Sequence, residues 1–148
     1  PSEIGCAYGL EQLKRLKKNI LLRKKNYQLH NNYFKERQNY FQTPKFHKNS
    51  NSALLAFPLT IKPNKYFTRN DFQIYLEKKG IQTRPVFTGN ILRQPAFKRI
   101  KYIGRKIYKN ADFIMKNSIL LACHHGLKKK DMLYIQKNIN AFINKFEK

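Results

Sequence analysis

Between Leu10 and Thr43 the chain contains neither glycine nor proline. Ile4, Ala7, Leu10, Leu13, Leu16 and Ile20 recur at intervals of three or four, and Lys14, Arg15, Lys17 and Lys18 fill the gaps. That spacing puts apolar side chains on one stripe of an α-helix and leaves a Lys-rich face outside. The pattern runs on through Tyr27, His30, Tyr33, Phe34 and Arg37. It predicts a single helix of roughly 45 Å. Such a helix is long for a compact domain of 148 residues. Residues 1–42 are therefore read as a connecting helix that reaches another body, and residues 43–148 as a small domain of their own.

Thr43-Pro44 ends the pattern, and Lys45 to Ser52 reads as a polar loop. Ala53 to Ile61 reads as a buried strand, in which Pro58 argues for an edge or a bulge. Thr68-Arg69-Asn70-Asp71 forms a capping-box pattern with Asp in the usual Glu position. The helix that follows turns Phe72 and Leu76 inward and closes at Gly80. Ile81 to Phe87 reads as the next strand. Thr88 to Gly104 fits no period, yet Ile91, Leu92, Ala96 and Phe97 give it apolar content. A long irregular stretch of that kind inside a small domain is usually functional. Asn110-Ala111-Asp112 reads as the cap of a short helix through Asn117, followed by a strand from Ile119 to Cys123. A last helix carries Met132, Ile135, Ile139, Phe142, Ile143 and Phe146 on one face. The order is α/β: a long helix, then β-α-β-loop-α-β-α.

Charge is the next constraint. There are 31 Lys and Arg against 8 Asp and Glu, a net charge of +23. Such a surface attracts polyanions at low salt. However, the basic residues are spread along the whole chain, and Lys outnumbers Arg 23 to 8, whereas specific readout leans on Arg. The 15 Asn and 14 Ile point the same way as the Lys excess, toward the bias of an AT-rich genome. A basic nucleic-acid-binding module is therefore the alternative function, with nucleic acid disfavoured as a partner. A folded remnant without activity is a second alternative. No apolar run approaches the roughly 18 residues of a membrane span. Cys6 and Cys123 lack metal or disulfide-framework spacing, which fits a reducing, cytoplasmic compartment. The start lacks Met and a signal-peptide pattern, as expected of a piece of something longer.

Few side chains are spaced for chemistry. His124 and His125 are adjacent in an extended segment, so they point to opposite faces. Cys123 beside them has no partner spacing for a metal and no orienting group for a nucleophile. No phosphate loop is present, and no residue is assigned a catalytic role. The strongest local signal is Gln82 to Phe97. Arg84 and Arg93 suit bidentate binding of a phosphate or carboxylate, and Asn90 and Gln94 suit hydroxyls. Equally, these residues can tie down the loop by bonding its own carbonyls.

Read with its flanks, that loop resembles the DegT-type sugar aminotransferases, which use pyridoxal phosphate (PLP) on nucleotide-linked keto-sugars. Glu3-Ile4-Gly5-Cys6-Ala7-Tyr8-Gly9-Leu10-Glu11-Gln12-Leu13 resembles the start of the family's connecting helix. Phe57-Pro58-Leu59-Thr60-Ile61 resembles its first small-domain strand, and Cys123-His124-His125-Gly126-Leu127 a segment before its last helix. Thr88-Gly89-Asn90 followed by Arg93-Gln94-Pro95 is similar to the sugar 3-dehydrase branch of lipopolysaccharide deoxysugar synthesis. The resemblance spans nearly the whole chain. It implies the C-terminal small domain of a fold-type I PLP enzyme, with a mostly antiparallel sheet of about three strands packed against helices. It implies a missing N-terminal domain that holds PLP or pyridoxamine phosphate and supplies the lysine that binds it, a histidine in the dehydrase branch. It implies a homodimer when complete, and no cofactor bound by this chain alone. The substrate-binding residues it points to are Arg84, Asn90, Arg93 and Gln94, with His124 or His125 at the mouth.

Overall fold

Ser2 starts the long helix α1, Glu3–Lys35, by accepting the Gly5 N–H on its Oγ at 3.2 Å. This computed structural model describes residues 2–104 and 107–147. Pro1 and Lys148, the outer limits of the two-part division, lie outside the described residues. Helix α1 is about 50 Å long at 1.5 Å per residue. It ends at Lys35, short of the predicted residue 42, because Arg37 folds back on it. The Arg37 guanidinium donates to the Tyr33 carbonyl at 2.8 Å and stacks 3.8 Å over the Tyr33 ring. Its other nitrogens donate to Asn140 Oδ1 at 3.0 and 3.2 Å.

The chain then turns into β1, Phe41–Gln42, which pairs antiparallel with β2, Ala56–Ile61. The remaining elements are α2 (Arg69–Lys78), β3 (Thr83–Pro85), α3 (Lys109–Asn117), β4 (Ser118–Ala122) and α4 (Lys129–Ile143). The sheet is antiparallel throughout, in the order β1-β2-β4-β3. It has four strands where about three were expected. The extra one, β1, is two residues long and lay hidden in the stretch whose spacing read as helix. β1 opposes only Ile61 and Thr60. Pro58 therefore has β4 on one side and no strand on the other among the described residues, the edge position a proline needs.

Alternation along the strands divides the sheet into two faces. Phe57, Leu59 and Ile61 of β2, with Ile119 and Leu121 of β4, are almost fully buried. They meet Phe34 of α1, Phe72 and Leu76 of α2, and Ile139 and Phe142 of α4 in one core. Aromatic rings dominate it. Phe34 stacks on Phe57 with centroids 5.6 Å apart, and Phe41, Phe67 and Phe142 contact Phe72 at 5.2 to 6.2 Å. Thr68 and Asp71 form the predicted capping box at the start of α2. At the start of α4 the cap position holds Lys128, and Asp131 accepts its N–H at 2.8 Å. In α1, by contrast, Ile4, Leu10, Leu13 and Leu16 stay exposed, and burial begins only at Asn26.

His30 lies in the core at 0% exposure, with Nε2 at 3.0 Å from the Ala122 carbonyl. Among the described residues its Nδ1 has no hydrogen-bond partner. Burial holds its pKa down at about 4, against the ordinary 6.5. The neutral ring is therefore the native form. Its contribution is complete above pH 6.5 and is lost as the pH falls toward 4, about 3 kcal/mol in all. Urea unfolding between pH 7 and 4 should show that loss, and His30→Leu should flatten the slope in this window. Phe34→Ala, which empties a fully buried ring site, should cost about 3–5 kcal/mol in the same assay at pH 7.

Candidate functional site

The other face of the sheet carries no core helix residues in its central row. Pro58 of β2 opposes Leu120 of β4, and Leu120 opposes Arg84 of β3. Ala56 opposes Ala122 in the next row. These small and apolar residues form the floor of a cleft of about 850 Å³. Leu54 and Leu55 wall it on one side, Val86 and Phe87 on the other, and His124 closes one end. Arg84 is its one fully charged side chain, and it makes no hydrogen bond or ion pair among the described residues. His124 accepts the Gly126 N–H on Nδ1 at 3.2 Å, which leaves Nε2–H as the donor of the neutral ring. Its carbonyl accepts from Asn26 Nδ2 of α1 at 2.8 Å.

The loop after β3 is built around Asp112 of α3. Arg93 binds that carboxylate through two nitrogens at 2.8 and 2.9 Å, and Asn90 Nδ2 donates to it at 2.8 Å. These donors hold the Asp112 pKa down at about 2. Asn90 also accepts the Leu92 N–H and begins a 3-10 turn over Ile91–Arg93, with a second turn over Pro95–Phe97. Gln94 Nε2 donates to the Thr88 carbonyl at 2.7 Å. Gly89 has φ +63°, and a Cβ there would stand 2.3 Å from Met115 Cγ of α3. The loop is thus seated on α3 by two polar side chains, Asn90 and Arg93, and one close backbone approach at Gly89.

The predicted site residues fall into two groups. Arg84 and His124 share the cleft. Asn90, Arg93 and Gln94 hold the loop's own conformation, and His125 is exposed beside the cleft with its ring 6.5 Å from that of His124. Asp112 was expected to cap α3. The helix instead begins at Lys109, and the Asp112 carboxylate turns to the loop. Phe87 was expected to end a strand. It lies past β3, 79% exposed, with φ +47°. Neither role leaves a signal in residue spacing, because each is set by a contact or a turn across the loop.

Cys123 is buried and donates weakly to the Leu54 carbonyl at 3.5 Å, and burial pushes its thiol up to about 11. It is a packing residue, not a thiolate nucleophile. Among the described residues, no three His, Cys, Asp or Glu side chains gather as a metal site. No helix is long and apolar enough to cross a membrane among them. The cleft contains no lysine and no carboxylate, so its residues do not match the donors that hold PLP.

With this fold and this uncovered cleft in place, the family model for the DegT/DnrJ/EryC1/StrS aminotransferases matches residues 2–140. The chain belongs to that family. It is 26% identical over 141 residues to the lipopolysaccharide biosynthesis protein RfbH of Salmonella typhimurium, covering 95% of this chain and 32% of that protein. It is 29% identical over 96 residues to dTDP-4-dehydro-2,6-dideoxy-D-glucose 3-dehydratase of Saccharopolyspora spinosa, covering 65% of this chain and 21% of that protein. Among solved structures it is similar to GDP-4-keto-6-deoxymannose-3-dehydratase with a trapped PLP–glutamate geminal diamine. The TM-score there is 0.77 at 27% identity, covering 88% of this chain and 33% of that one. The chain thus spans about a third or less of the length of these relatives.

Gly89→Ala should destabilise the fold by about 1–2 kcal/mol in thermal unfolding, through the left-handed φ and the clash with Met115. Asp112→Ala should leave the core transition nearly unchanged and speed proteolytic cleavage within residues 86–97, read by mass spectrometry.

Proposed function

We propose that this chain is the C-terminal small domain of a PLP-dependent enzyme acting on nucleotide-linked 4-keto-6-deoxy sugars, in lipopolysaccharide deoxysugar synthesis. The closer reading is a 3-dehydrase, on the strength of Thr88-Gly89-Asn90 and Arg93-Gln94-Pro95. PLP and the groups that bind it belong to a domain preceding α1, and the complete cytoplasmic enzyme is a homodimer. The exposed apolar stripe Ile4, Leu10, Leu13 and Leu16 supports that division, because apolar patches of this kind are contact surfaces. The division is residues 1–42 as connector and 43–148 as small domain.

The observation that carries this reading is Arg84. Among the described residues its guanidinium has no ion-pair partner, and it lines the same apolar cleft as the His124 donor. Arg84 is exposed, so its guanidinium is open to an anion such as a sugar-linked diphosphate, which its fork of N–H donors can bind bidentately. In this reading the small domain covers and positions the substrate, while the chemistry proceeds on groups outside it. Asn90, Arg93 and Gln94 serve by keeping the loop in place, and His125 lies at the mouth.

In the complete enzyme, Arg84→Met should raise KM for the nucleotide-linked keto-sugar by about tenfold or more, with a smaller change in kcat. The isolated 148-residue chain incubated with PLP and then dialysed should show no cofactor absorbance band. A retained absorbance band would overturn the assignment of cofactor binding to another domain.

A further inference from the structure

Among the described residues, Phe87 is the one non-glycine with positive φ, at +47°. Its ring is 79% exposed. A phenylalanine in that backbone region is strained, and an exposed ring adds nothing to the core. Both costs fall on one residue that lines the cleft of Arg84 and His124. The surroundings hold it there. On one side Pro85 pairs with Ile119 in the sheet. On the other, the Gly89 N–H donates to the Val86 carbonyl at 3.0 Å and closes the turn across Phe87 and Thr88. Gln94 fixes the Thr88 carbonyl, and Asp112 fixes Asn90 and Arg93. Asn90, Arg93 and Gln94 are thereby occupied, while the Phe87 ring stands exposed.

We propose that Phe87 is a stacking platform for the base of a nucleoside diphosphate whose phosphates lie at Arg84. This rests on the nucleotide-linked substrate of the preceding subsection. A flat apolar face and a cation in one cleft match a ligand that joins an aromatic ring to an anion. Two relatives are named for dTDP- and GDP-linked sugars. A pyrimidine and a purine share no common edge of donors and acceptors, but every base has a face that can stack on a phenyl ring. The backbone that carries the ring is already fixed, so binding costs little backbone freedom, which offsets the cost of holding it in place.

The test titrates the 148-residue chain with GDP, dTDP and inorganic pyrophosphate, followed by NMR. Expected are upfield ring-current shifts of the base protons, contacts between those protons and the Phe87 ring, and weak binding of pyrophosphate. Phe87→Leu should weaken GDP and dTDP by at least about fivefold and leave pyrophosphate unchanged. Phe87→Tyr should restore both nucleotides, and Arg84→Met should weaken all three ligands. Phe87→Gly should raise the melting temperature while losing the nucleotide preference, because it relieves the left-handed φ. Nucleotide binding that is unchanged in Phe87→Leu, or that lacks contacts to the Phe87 ring, overturns the platform and leaves the nucleotide site standing. Absence of binding of all three ligands to the unaltered chain overturns the platform together with the cleft as a nucleotide site.

Discussion

The seating of the last third of α1 on the sheet is the contact on which the rest depends. Phe34 stacks on Phe57 at 5.6 Å, and His30 lies 5.1 Å from the same ring. His30 bonds the Ala122 carbonyl, and Asn26, one turn earlier, bonds the carbonyl of His124. One helix face thus fixes both the inner surface of β4 and the corner where β4 leaves the sheet. Tyr33 and Arg37 extend the contact to α4, meeting at Asn140 Oδ1 with the Tyr33 hydroxyl 2.6 Å away. These bonds join the strand pairing in fixing the end of β4, beyond which His124 lines the cleft.

The two faces of the sheet then do different work. The inner face is an aromatic core, where rings of Phe41, Phe67, Phe72 and Phe142 meet edge-on and tilted. The outer face is small and apolar, crossed by the row Pro58, Leu120 and Arg84. Short β3 and short β1 leave that face open. The loop after β3 is rigid for a separate reason, its attachment to Asp112 and Met115 of α3. A rigid loop beside an open apolar floor suits the substrate-positioning role proposed above.

Much of this was legible in the residues. The helix of α1, the capping box at Thr68 and Asp71, the position of Pro58 and the apolar face of α4 follow from spacing and turn chemistry, which are local properties. The family resemblance draws on a middle motif that is also local, from Thr88 to Pro95. What escaped was set by distant contacts. β1 exists only because Phe41 finds Ile61, so its periodicity was absorbed into the helix. Asp112 looked like a cap because the sequence holds no sign of an arginine 19 positions earlier arriving at its oxygens. Arg93, Asn90 and Gln94 looked as suited to a ligand as Arg84, since composition cannot tell a guanidinium that meets a carboxylate from one that meets none. The charge of +23 was the loudest feature and explains the least of the fold.

The central claim is that the Arg84 cleft holds the anionic part of a nucleotide-linked substrate. A crystal structure of the complete enzyme with a nucleoside diphosphate-sugar bound tests it most directly. The account predicts phosphate oxygens within hydrogen-bond distance of the Arg84 guanidinium, with Arg93 still on Asp112. A structure in which Arg84 meets a carboxylate of the same protein and the nucleotide lies away from this face would contradict it.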